Sequence, residues 1–75
     1  LGRLRTLSGK EVCAILAAQG FTLVRQRGSH MVMQRRLDVS TITVPVPDHA
    51  VVRVGTLQSI IRQSGLPRAL FEYES

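Results

Sequence analysis

Phe21-Thr22-Leu23-Val24-Arg25-Gln26-Arg27-Gly28-Ser29-His30-Met31-Val32-Met33-Gln34-Arg35 is the stretch that decides the fold. Its first part has the period of an extended chain: residues 21–26 predict a strand with Phe21 and Leu23 on one face. Arg27-Gly28-Ser29 supplies a turn, and residues 30–35 predict a second strand. The two make an antiparallel hairpin. If Met31 and Met33 face the core, alternation sends His30, Val32 and Gln34 to the other side.

Working outward, residues 36–40 are polar and connect to a third strand over 41–46, with Thr41 and Thr43 alternating against Ile42 and Val44. Pro45 has no N–H to give a ladder, so this strand belongs at an edge or near its end. An irregular loop follows over 47–55. Thr56 is the expected cap of a second helix, whose Leu57, Ile60, Ile61 and Ser64 share one stripe. Gly65 stops it, and a short turn over 68–72 brings Leu70 and Phe71 to the core. Upstream, Ser8 with Glu11 three residues later reads as a capping box. The helix it opens runs over 9–19, carries Val12, Ile15 and Leu16 at helical spacing, and stops at Gly20. Residues 1–6 are a basic lead-in. The order helix-strand-strand-strand-helix predicts an α+β fold. A three-stranded antiparallel sheet takes both helices on one face, and its other face stays open to solvent or a partner.

Length and charge bound the function. A chain of 75 residues is one small domain, able to bury only about 60% of its unfolded surface. Ten cations face five anions, and nine of the ten are Arg, with Lys10 the sole lysine. Glu72 and Glu74 lie at the end, so residues 1–71 carry ten cations and three anions, a balance of +7. Arg presents a planar fork that matches phosphate in two-point contact, so a polyanion, and first a nucleic acid, is the expected partner. No apolar run approaches the roughly 18 residues of a membrane span. The single cysteine, Cys13, excludes an internal disulfide and suits a reducing cytoplasm. One Cys and two scattered His do not make a zinc site, and no Gly-rich nucleotide loop occurs, so no metal and no small-molecule cofactor is expected.

His30 is the most informative residue for chemistry. It opens a strand after a Gly-containing turn, with Arg25, Arg27, Arg35 and Arg36 nearby in sequence. An imidazole exchanges protons near neutral pH, and Arg groups can bind a phosphodiester and offset charge in the transition state. That equipment suffices for RNA cleavage without a metal. The bare pattern also fits a surface His at a strand edge, and as a lone signal that plainer reading outweighs catalysis. Cys13 reads as a small buried apolar residue, and His49 beside Asp48 as part of a solvated loop. The chain lacks aromatic residues on its second and third strands and has no Gly-x-x-Gly, which sets aside base-stacking and KH-type RNA modules. Its element order matches the double-stranded RNA-binding domain, which reads backbone and shape.

The ordered set Leu7-Ser8-Gly9-Lys10-Glu11, Gly20-Phe21, Arg27-Gly28-Ser29-His30, Val44-Pro45, Gly55-Thr56-Leu57, Ile60 and Ile61 with Gln63, Gly65 and Phe71 resembles the HicA (YcfA-like) toxins of bacterial toxin–antitoxin pairs. The resemblance spans residues 7–72. It implies a double-stranded RNA-binding-like fold and an mRNA-cleaving activity (mRNA interferase). It also implies one catalytic His, at His30, and a HicB-type antitoxin that covers the site. Members often carry a second His or another polar residue where this chain has Met31, and their His after Val-Pro comes sooner than His49, so no role passes to His49. With this resemblance, catalysis at His30 becomes the expectation. Lys10, Arg25 and Arg27 are the expected phosphate contacts, and Gly28 and Ser29 of the turn join the RNA-binding set. Binding through phosphates predicts steep weakening with salt and little base preference. A non-catalytic basic RNA-binding module is the competing expectation.

Overall fold

The computed structural model describes residues 2–74; Leu1 of the lead-in and the final Ser75 lie outside them. Helix α1 is Gly9–Ala18, strands β1, β2 and β3 are Thr22–Arg27, His30–Arg36 and Thr41–Pro47, and helix α2 is Val54–Ser64. A 3-10 turn, Arg68–Phe71, closes the order. The sheet is antiparallel in the order β1-β2-β3. This is the α+β arrangement expected from the sequence, with Pro45 on an edge strand.

Local chemistry sets the ends of α1. The Ser8 hydroxyl accepts from the Glu11 N–H at 3.1 Å, and the Ser8 N–H donates to Glu11 Oε1 at 2.8 Å, which completes the capping box. The Ser8 N–H, and secondarily the Ser8 hydroxyl, hold the Glu11 carboxyl below its ordinary pKa. At the other end Gly20 takes φ 93. The Gly20 N–H reaches Ala17 O at 3.1 Å and the Phe21 N–H reaches Leu16 O at 3.1 Å. These are the paired bonds of a Schellman stop, and Phe21 and Leu16 supply its apolar contact within the core.

One core lies between the sheet and both helices. Val12 and Leu16 of α1, Met31 and Met33 of β2, Val44 and Val46 of β3, and Leu57 and Ile60 of α2 form it with Leu7, Phe21, Val52 and Phe71. Both helices therefore cover the face to which Met31 and Met33 point. Val32 is also buried, at 7% exposure, yet stands outside that cluster on the opposite face.

One local expectation needs correction, and two others gain detail. Helix α2 begins at Val54, with Arg53 and not Thr56 in the cap position and no side-chain cap. The Val52 N–H bonds to Leu7 O at 2.7 Å, and this tether, with Val52 buried, aims the chain so that Arg53 O already accepts the Leu57 N–H at 2.8 Å. The basic lead-in is also built into the fold where it is described. Leu4 bridges Glu72, the Arg5 N–H bonds to Phe71 O at 2.8 Å, and the Tyr73 N–H bonds to Arg3 O at 2.9 Å. Leu7 behind it is almost fully buried. Finally, Leu23 pairs with Met33 and so shares the face of the core, as expected, but on the edge strand β1 it stays 52% exposed.

Candidate active site

The site begins with the turn between β1 and β2. Arg27 and His30 are directly paired, leaving Gly28 and Ser29 as a two-residue loop. Gly28 takes φ 58 and, among the described residues, no non-glycine residue has positive φ, the pattern of a type II′ turn with glycine in its first central position. A Cβ at Gly28 would meet nothing within 4 Å, so backbone conformation alone demands glycine there. The Asp48 N–H donates to Ser29 O at 2.6 Å, and Gln26 Nε2 reaches Asp48 Oδ2 at 3.4 Å, tying the turn to the exit of β3.

Cross-strand pairing then sorts the side chains, because directly opposite residues point to the same side of a sheet. On the face away from the helices, Arg27, His30 and Pro47 form one row. Arg25, Val32 and Pro45 form the next, then Thr22, Gln34 and Thr43, and finally Arg36 with Thr41. Residues directly opposite place their Cβ atoms roughly 5 Å apart. His30 thus stands beside Arg27 and one row from Arg25. All three are exposed.

Arg25 and Arg27 reach this face because β1 carries a bulge. The register shifts between Leu23 and Arg25, so Val24 is an extra residue opposite Val32. A strand of unbroken period two, started from Phe21 and Leu23, would send Arg25 and Arg27 to the core side. Strand periodicity alone does not reveal the bulge, whose signal is a parity conflict. Phe21 belongs to the core and Gln26 pairs with core-facing Met31, yet the two are an odd number of residues apart.

The structure brings together Arg25, Arg27, Gly28, Ser29 and His30. Lys10 reaches the same end of the sheet from the helix layer. The Gly9 N–H beside it bonds to His49 O at 2.9 Å, and a Cβ at Gly9 would collide with the carbonyl of Pro47, the partner of His30. Arg35 and Arg36 do not join His30. They lie at the far end of β2, about 16 and 20 Å away at 3.3 Å per residue, because a strand spreads sequence neighbours along its length. Arg35 also turns to the helix side, where it stands beside Gly20. His49 contributes a backbone carbonyl. The Asp48 carboxylate binds Gln26, and no bond links it to the His49 ring among the described residues.

The electrostatics of the open face are one-signed. The three strands contain no Asp or Glu, and among the described residues the one ion pair joins Arg68 to Glu72, away from the sheet. The face can bind an anion through Arg25 and Arg27 and exchange a proton through His30. Cys13 lies on the other side, with Sγ 3.9 Å from Met31 Sδ. Burial, and secondarily the Asp48 charge, push its thiol above the ordinary value, against a role as a nucleophile. Among the described residues no group of three or more His, Cys, Asp or Glu is placed to hold a metal ion. No helix among them is long and apolar enough to cross a membrane.

Among known families, the model for the HicA toxin of bacterial toxin–antitoxin systems matches residues 9–66. No curated protein matches the chain.

Proposed function

The chain belongs to the HicA toxin family of bacterial toxin–antitoxin systems, and from that premise we propose that it is an mRNA-cleaving endoribonuclease with His30 as its proton-transfer group. The observation that carries this reading is the row Arg27–His30 on an exposed sheet face without acidic residues, with Arg25 in the adjacent row. Arg25 and Arg27 hold the scissile phosphodiester by its non-bridging oxygens. His30 takes the proton of the ribose 2′-OH as that oxygen attacks phosphorus, or gives one to the departing 5′-oxygen. The attack forms the 2′-O–P bond as the P–O5′ bond breaks, so no metal is required. Proton transfer of this kind contributes about 10² to 10⁴-fold, and arginines fixed on a rigid sheet stabilise the charge that grows on the phosphoryl oxygens.

The toxin is held in check by an antitoxin of the HicB type that covers His30. The exposure of the site and its excess of positive charge support an acidic protein surface as the inhibitor.

The test is cleavage of a single-stranded RNA by the purified chain beside its His30→Ala variant, with EDTA present and both proteins shown to be folded. Cleavage by the parent and not by the variant is expected. A substrate with 2′-deoxyribose at the cut site should resist. Equal cleavage by both proteins would remove His30 from the mechanism, and binding without any cleavage would leave a non-catalytic RNA-binding module.

A further inference from the structure

We infer that the whole open face of the sheet, from His30 to Arg36, is a track for one strand of RNA. The inference rests on the ribonuclease reading for the identity of the polyanion; the track itself is read from the rows. Cations stand at both ends, with Arg25 and Arg27 beside His30 and Arg36 at the far end of β2. None of the three is in an ion pair among the described residues. Between the ends lies the polar row Thr22–Gln34–Thr43, in which Gln34 Nε2 donates to Thr43 Oγ1 at 3.2 Å. The remaining Gln34 N–H, its carbonyl and the two hydroxyls can exchange hydrogen bonds with ribose 2′-OH groups and base edges. Val32 and Pro45 form the apolar step next to His30. No Phe, Tyr or Trp lies on the strands, so the grip is chiefly on backbone and sugars rather than on stacked bases.

Dimensions and chemistry favour a single strand over a duplex. The outer strands are about 10 Å apart, twice the usual spacing, and the track is about 20 Å long. That accommodates one sugar–phosphate chain of a few nucleotides. Attack by a 2′-oxygen also needs the nucleophile, phosphorus and leaving oxygen in line. A-form stacking holds them out of line, so the cut strand must leave duplex geometry. An exposed face with cations at both ends of its length can hold such a strand extended across the reacting phosphate.

The experiment measures binding by the full chain carrying His30→Ala, so that cleavage does not intervene. The probes are a fluorescent single-stranded RNA octamer and the same sequence as a duplex, titrated over a range of salt. The single strand should bind several-fold more tightly than the duplex. Adding Arg36→Gln should weaken binding several-fold and lower the slope of log K against log salt by about 0.7, one phosphate contact. Arg62→Gln removes the same charge from the exposed side of α2 and should leave that slope unchanged. Gln34→Ala should narrow the preference for RNA over the DNA octamer of the same sequence, with the slope unchanged. Equal effects of Arg36→Gln and Arg62→Gln, or a duplex that binds as well as the single strand, would overturn the track. Cleavage by the parent is scored separately. Cleavage with binding insensitive to Arg36→Gln removes the track alone, and binding without cleavage removes the ribonuclease reading alone.

Discussion

The two faces of the same three strands differ in everything but their backbone. Toward the helices, Met31, Met33, Val44 and Val46 are all but inaccessible to water. Toward the open side, one residue along, stand His30, Gln34, Thr43 and, across the bulge, Arg25 and Arg27. A domain this small has little core to spare. It therefore places its packed core on one side of the sheet and, on the proposed reading, its chemistry on the other, so that residues adjacent in sequence carry unrelated duties. The comparison predicts that substitutions on the two faces move different measurements.

The largest effect belongs to the open face. His30→Ala should reduce RNA cleavage by about 10² to 10⁴-fold while leaving the urea midpoint unchanged, because the ring is exposed and outside the core. A fall in stability of the same size as in a core variant would break the division. Phe71→Ala is its counterpart on the buried side. This fully buried ring should cost about 3–5 kcal/mol, a large part of the stability of a small domain, read as a lower urea midpoint. Gly28→Ala tests the hinge between the faces. With φ 58 and open space around the position, the cost is conformational, about 1–2 kcal/mol, and cleavage should fall with it, since the turn sets the first row of the open face. Ser8→Ala removes one half of the capping box for about 1 kcal/mol, which thermal melting would register as a fall of roughly 4–8 °C, with the RNA affinity of the folded protein preserved.

The smallest effect is in pH. The Glu11 carboxyl titrates below its ordinary value in the folded chain, through its bonds to Ser8. The unfolded chain therefore takes up the proton first as the solution is acidified. The contribution is fully present above the unfolded value of about 4.5 and is lost as pH falls through the lower folded value. Glu11→Gln should flatten that acid limb of stability, and an unaltered limb would assign it to other carboxylates.

What could be read from the chain alone were the features written in short range. The Ser8–Glu11 box, the glycines that end α1 and α2, the Gly28-Ser29 turn and the parity of Met31 against His30 each depend on residues a few positions apart. The family resemblance, carried by the same residues, pointed to His30. Tertiary structure decided what depends on distant partners. The start of α2 follows from the Val52–Leu7 bond, not from the best capping side chain, and the lead-in owes its place to the last residues of the chain. The bulge at Val24 is the deepest case. The end of α1 places Phe21 in the core, and pairing with Met31 places Gln26 on the same face, an odd number of residues later. A strand with period two cannot satisfy both anchors, so it takes up one extra residue, and that residue turns Arg25 and Arg27 onto the face of His30.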